Sequence, residues 1–126
     1  MFLKRLEVQA MAQGLARHSA AAQAATARNI ANSDTPGYRA TRLRSFAEVW
    51  DDAGGALRAT RPGHVGGGRS AAMREEGLLR HDSPNKNSVS LEAELMQSAL
   101  NRQSHDMALG ISRSFSSALR QTLSRS

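Results

Sequence analysis

Large apolar side chains are scarce in this chain, and that scarcity limits what it can fold into. Leucine, isoleucine, valine and phenylalanine together supply 22 of the 126 residues, whereas alanine alone supplies 21. Small side chains bury little apolar area, so an isolated chain of this composition cannot build a dense core. We therefore expect a mainly α-helical, elongated subunit that is partly disordered as a monomer and completes its burial against partners.

The first segment, residues 1–32, favours a long helix. It has no proline and one glycine, and it is rich in alanine and glutamine, which are good helix formers. Steps of three and four residues, with one interruption, connect a row of apolar residues: Val8, Met11, Leu15, Ala22 and Ala25. This spacing predicts an amphipathic helix with a narrow seam.

The last segment, residues 88–126, predicts a second and longer helix. Asn87 or Ser88 can cap its start, and Glu92 and Glu94 lie where the helix dipole favours acids. Steps of three and four residues connect a second apolar row: Met96, Leu100, Gln103, Met107, Ile111, Phe115 and Ala118. A helix of about 37 residues would be about 55 Å long, too long for a compact domain of this size. The two terminal helices should therefore pair as an antiparallel, coiled-coil-like rod.

The middle segment, residues 33–87, has a different composition. It contains all three prolines and eight of the ten glycines, which interrupt regular structure. We expect it to be loop-rich and partly extended. Residues 42–50 could form a short strand or a short helix, and their periodicity does not decide between the two.

A sharp motif, NIANSDTPGYR, runs from Asn29 to Arg39. Pro36 keeps Thr35 out of the helical conformation, and the Pro36-Gly37 pair suits the centre of a type II turn, so the motif is at least a helix stop. Its pattern N-I-A-N-x-x-T-x-G-Y resembles the signature of the axial proteins of the bacterial flagellum. Two further strings, at residues 87–96 and 60–64, resemble segments of the proximal-rod (FlgB) type within that family.

The resemblance implies one axial rod domain that acts as a structural subunit of the proximal basal-body rod. Such a subunit would self-assemble helically, transmit torque and line the export channel; a paralogous middle-rod subunit is the alternative. The residues assigned to the motif or to subunit packing are Asn29, Ile30, Ala31, Asn32, Asp34, Thr35, Pro36, Gly37, Tyr38, Asn87, Ser88, Val89, Leu91, Glu94, Met96, Leu100, Met107, Ile111 and Phe115.

The resemblance also implies partners and a location. The partners would be further copies of the chain, other rod subunits, the rod–ring adaptor protein, and the membrane ring with its export gate. Because the N-terminus lacks the pattern of a signal peptide, we expect export through the flagellar type III system. The chain departs from the family at His105, where relatives often have an aromatic residue, and at Arg42, near which relatives often have an acid.

Other classes of function find little support in the residues. The chain has no cysteine, its four histidines are not at metal-ligand spacing, and the Gly66–Gly68 run lacks the lysine of a phosphate loop. We expect no enzyme activity, catalytic residue, metal, cofactor or small-molecule substrate.

A small basic nucleic-acid-binding protein is the alternative from a different class, because the net charge is +6. Only Arg39, Arg42 and Arg44 cluster, however, and no DNA-binding motif accompanies them. We therefore expect no nucleic acid partner, and we expect these arginines to meet solvent or acidic groups on neighbouring subunits.

Overall fold

A computed structural model describes residues 2–52, 75–77, 87 and 89–125. Its elements, in chain order, are α1 (Phe2–Ala31), β1 (Thr41–Leu43), α2 (Phe46–Asp52), β2 (Glu75–Gly77) and α3 (Leu91–Ser124). The prediction of a mainly α protein with two long terminal helices is confirmed. Most of the predicted loop-rich segment, including residues 60–64, lies outside the described residues. No helix in the described part of the chain is long and apolar enough to cross a membrane.

The two long helices pack against each other in antiparallel orientation. Side-chain contacts join Asn29 to Glu94, Gln23 to Ser98, and the Ala16 backbone to His105. Residue numbers therefore rise along α1 while they fall along α3, as the sequence predicts.

The seam between α1 and α3 is built from small and polar side chains. On α1 the buried residues Ala12, Ser19 and Thr26 are spaced seven apart, and on α3 so are Glu94, Asn101 and Ala108. A seven-residue repeat keeps one face of a helix against its partner, as in a coiled coil. The pair is therefore coiled-coil-like in its geometry but not in its chemistry, because no leucine or isoleucine is fully buried in it.

The larger apolar residues of the predicted rows lie mostly outside this seam. On α1, Ala25 is buried but Val8 and Met11 are exposed. On α3, Met96 and Leu100 are exposed, and other members of the row are no better than half-buried. The row that dominates the sequence pattern of α3 therefore does not make the contact with α1.

The short elements of the fold lie along the side of α1. Strand β1 pairs with β2 in antiparallel register, with Thr41 opposite Gly77. The rings of Phe46 and Trp50 on α2 lie against Gly14 of α1. A Cβ atom added at Gly14 would lie 3.4 Å from the Phe46 ring. The segment 42–50, for which periodicity was ambiguous, thus contains both the end of a strand and most of a helix.

Candidate functional site

The motif at the end of α1 forms a hydrogen-bonded turn. The backbone N–H of Tyr38 donates to the carbonyl of Thr35 at 3.3 Å, and Gly37 has a φ of 74°. With Pro36 and Gly37 at the two central positions, this is the type II turn that the sequence predicts. The Asn32 side chain steadies its start by donating to the Arg28 carbonyl and accepting from the Thr35 hydroxyl.

Asn29 is the centre of the site. It has no exposed surface, and both ends of its amide are fully used. Its Nδ2 donates to the Thr41 carbonyl at 2.9 Å and to Glu94 Oε2 at 3.1 Å. Its Oδ1 accepts from the Thr41 N–H at 3.0 Å and from the Tyr38 hydroxyl at 3.2 Å. An asparagine amide can make two donated and two accepted bonds, so one side chain joins α1, the turn, β1 and α3.

Glu94 is the only charged side chain buried among the described residues, with 1% of its surface exposed. Its Oε1 lies 2.8 Å from Nη2 of Arg42, while its Oε2 accepts from Asn29. Burying a carboxylate is costly unless it is paired and hydrogen-bonded, and both conditions hold here. Nη1 of Arg42 also donates to Gln97 Oε1 at 2.9 Å.

This pairing corrects one expectation about the arginines. Arg42 was expected to meet solvent or a neighbouring subunit, but it binds Glu94 within the same chain. Arg44 likewise lies 2.7 Å from Asp52. The reason is that β1 packs against α1, and from there the long Arg42 side chain reaches Glu94 and Gln97 on α3.

The network continues down the seam toward the middle of the helices. Gln97 Nε2 donates to Asn101 Oδ1 at 3.1 Å, and Asn101 Nδ2 donates to the Thr26 hydroxyl at 3.2 Å. Polar partners meet one another across the seam, so their positions along α1 and α3 fix the relative register of the helices.

Asn87 clamps the turn from the other side. Its Nδ2 lies within hydrogen-bond distance of three carbonyl oxygens, at Asn32 (3.0 Å), Ser33 (2.7 Å) and Thr35 (2.8 Å), and its Oδ1 accepts from the Val89 N–H. The proposed cap role of Asn87 is wrong, because Ser90 occupies the N-cap position and makes no side-chain cap bond. The amide of Asn87 is committed to the turn instead.

His105 occupies the position where the resemblance leads us to expect an aromatic residue. It is half-buried, and its Nδ1 lies 3.2 Å from the Ala16 carbonyl oxygen. A carbonyl only accepts, so Nδ1 carries the proton. The histidine therefore links α3 to the α1 backbone.

The structure divides the predicted site residues into two groups. The motif residues that it brings together in the clamp are Asn29, Asn32, Thr35, Gly37, Tyr38, Asn87 and Glu94. Outside it, Ile30, Val89 and Phe115 are half-buried, whereas Ala31, Asp34, Pro36, Leu91, Met96, Leu100, Met107 and Ile111 are exposed. Ser88 lies outside the described residues.

Several clamp and seam residues were missed as site residues, among them Thr26, Arg42, Gln97 and Asn101. The available signal was the seven-residue spacing of Ser19 and Thr26 on α1 and of Glu94 and Asn101 on α3. The arrangement holds backbone segments together, and within the described residues no group of three acidic or histidine side chains could hold a metal ion.

The comparison with known families addresses the same part of the chain. The family model described as flagella basal body rod protein matches residues 9–39, which run from the first turns of α1 to the end of the turn. The match covers 31 of the 126 residues, so the chain is similar to these rod proteins over α1 and the turn. No curated protein matches it.

Proposed function

We propose that this chain is a flagellar basal-body rod protein, a subunit of the proximal rod that is assembled from many copies around a hollow axis. In that position it would transmit torque from the membrane ring and line the channel for exported subunits. Its neighbours would be other rod subunits, the rod–ring adaptor protein and the export gate. It would reach them through the flagellar type III system.

The observation that carries this proposal is the outer face of α3. We define the outer ridge as Met96, Leu100, Met107 and Ile111, whose exposed fractions are 69%, 50%, 55% and 38%. Four large apolar side chains in one line along an exposed helix mark a protein interaction surface. In a subunit that packs side by side with its copies, this ridge would be covered.

The polar clamp supports the same proposal from the mechanical side. A subunit that transmits torque needs two helices that do not slide past each other, and the bonds of Asn29 and Glu94 oppose sliding. The clamp also uses little apolar burial, so a single chain can unfold readily for passage through a narrow export channel.

The test is rod assembly in cells that lack the chromosomal copy. We expect Leu100→Asp to abolish motility and incorporation into basal bodies while the protein is still made. Ser117→Asp is the matched control, because Ser117 is exposed on α3 but lies off the ridge. Full motility with Leu100→Asp would contradict the packing role.

A second experiment separates the proximal rod from the middle-rod alternative. In cells lacking every other rod subunit, we expect the chain to remain with the purified membrane ring. Loss of the chain from these rings would favour the middle-rod position. Export is followed with a tagged copy; secretion that persists without the export gate would refute the proposed route.

The nucleic-acid alternative gains no support from the site. Arg42 and Arg44, two of the three clustered arginines, bind carboxylates of their own chain. A phosphate would have to compete with Glu94 and Asp52 for them. Retention on DNA that falls steeply with salt would contradict this interpretation.

A further inference from the structure

Two of the four outer-ridge residues are methionines, and both are open to solvent. Met96 is 69% exposed and Met107 is 55% exposed. They are eleven positions apart, which places them about 16 Å apart along α3 and within about 20° of each other around it. A Cβ atom added at Gly110, one turn after Met107, would have no atom of the described residues within 4 Å. Both thioethers therefore lie on one accessible line of the helix.

Packing by itself does not require methionine at these positions. Leu100 and Ile111 fill the other two places of the ridge, and an exchange of leucine for methionine usually costs little in a packed surface. The difference between the two side chains is chemical, because the sulfur of a thioether can be oxidised and an aliphatic carbon cannot. Met96 and Met107 therefore give the ridge a reactivity that packing does not use.

Oxidation of these side chains needs only a peroxide and an accessible sulfur. A lone pair of the sulfur attacks one oxygen of hydrogen peroxide, the S–O bond forms as the O–O bond breaks, and the departing hydroxide takes a proton to become water. The thioether is oxidised to a sulfoxide and the peroxide is reduced. Methionine sulfoxide reductases reverse the change, releasing the oxygen as water with electrons from thiols.

A sulfoxide changes the surface from apolar to polar. Its oxygen is hydrated in the free subunit, and covering it with apolar groups of a neighbouring subunit removes that water. Burial of a polar group without a new hydrogen bond is costly. We expect each sulfoxide to weaken packing of the ridge about tenfold.

From this exposure and chemistry we propose that Met96 and Met107 are a reversible oxidation site. Peroxide converts them to sulfoxides in subunits outside the rod, and subunits that carry the sulfoxides do not pack until a reductase restores the thioethers. The proposal rests on the proposed function, since the ridge is the surface that packs in the rod. Once it is covered by a neighbour, the ridge is shielded from peroxide.

Paired variants test the effect of polarity without any oxidant. Met96→Gln/Met107→Gln places an amide of similar length at both positions, and Met96→Leu/Met107→Leu keeps both apolar. We expect the glutamine variant to enter basal bodies at least about tenfold less than the natural chain, and the leucine variant to stay within about twofold of it. Equal helicity by circular dichroism controls for folding. Equal incorporation of the two variants would overturn the inference.

A peroxide pulse tests the modification itself. In cells without methionine sulfoxide reductases, the pulse should lower incorporation of the newly made natural chain at least about tenfold relative to the Met96→Leu/Met107→Leu variant. Restoring a reductase should remove the difference. Other oxidative damage cancels, because both strains receive the same pulse and both chains keep Met11 and the two methionines outside the described residues. Equal losses in the two strains would refute the oxidation site.

Two further measurements separate this inference from the proposed function. If Leu100→Asp abolishes incorporation while peroxide does not distinguish the natural chain from the leucine variant, the oxidation site is wrong and the packing role stands. Mass spectrometry of the purified free protein does not depend on assembly. Both sulfur atoms should be converted under hydrogen peroxide at a rate close to that of free methionine; a sulfur that stays unoxidised would overturn the inference whatever happens to the rod.

Discussion

Replacing Asn29 with alanine should be among the most damaging single changes in this protein. The substitution removes two donated and two accepted hydrogen bonds from a side chain with no exposed surface. The buried carboxylate of Glu94 loses one partner, at a cost of about 1.5–3 kcal/mol, and the Thr41 N–H loses another, at about 1 kcal/mol. The Tyr38 hydroxyl is half-buried and can form a hydrogen bond to water instead, so the loss of its bond to Asn29 adds little to the free-energy cost. We expect a total loss of about 3 kcal/mol.

Urea denaturation followed by circular dichroism would measure this loss. With a slope of about 1.5 kcal/mol per molar urea, 3 kcal/mol shifts the midpoint by about 2 M. A stabilising osmolyte, added equally to all samples, keeps the variant folded at the start of the titration.

Asn32→Ala is the matched control, because Asn32 belongs to the same motif but makes its side-chain bonds at the exposed surface. It should lose less than about 1 kcal/mol. A double-mutant cycle between Asn29→Ala and Glu94→Ala should give a coupling of at least about 1 kcal/mol. Equal midpoints for Asn29→Ala and Asn32→Ala would refute the claim that the clamp stabilises the fold.

Three further predictions follow from single positions and from the seam. Gly37→Ala should destabilise the protein by about 1 kcal/mol in urea titration because of the positive φ at that residue, whereas Gly110→Ala, in a helix with open space around it, should stabilise it by a similar amount; the same sign for both would contradict the backbone argument. Asn87→Ala should increase proteolytic cleavage near the turn, since three carbonyls lose their donor, and cleavage equal to that of the natural protein would count against this role. Hydrogen exchange on dilute protein should show weak protection in residues 5–30 and 92–120, and strong protection would contradict partial disorder in the monomer.

The helices and the turn could be predicted because their signals are local. Composition and spacing identify two long helices, and Pro36 and Gly37 have restricted conformations that suit one turn type. These properties depend on neighbours in the sequence, so no knowledge of the packing is needed.

The seam and the clamp could not be predicted in the same way because they depend on distant contacts. Periodicity analysis gives weight to large apolar residues, and on α3 these form the outer ridge. The residues that face α1 are Glu94, Asn101 and Ala108. In the sequence, these residues look like part of a solvent-exposed helix face. Asn87 resembles a helix cap until the turn, more than fifty residues earlier in the chain, is placed beside it.

The polar seam has a consequence for how stability changes with temperature. Unfolding this helix pair exposes alanine, serine, threonine and asparagine where most helix pairs expose leucine and isoleucine. Hydration of apolar surface raises the heat capacity and hydration of polar surface lowers it. The heat-capacity change per residue should therefore fall below the usual value of about 12–15 cal/mol/K. A small heat-capacity change flattens the curve of free energy against temperature, so the pairing of α1 and α3 should weaken little in the cold.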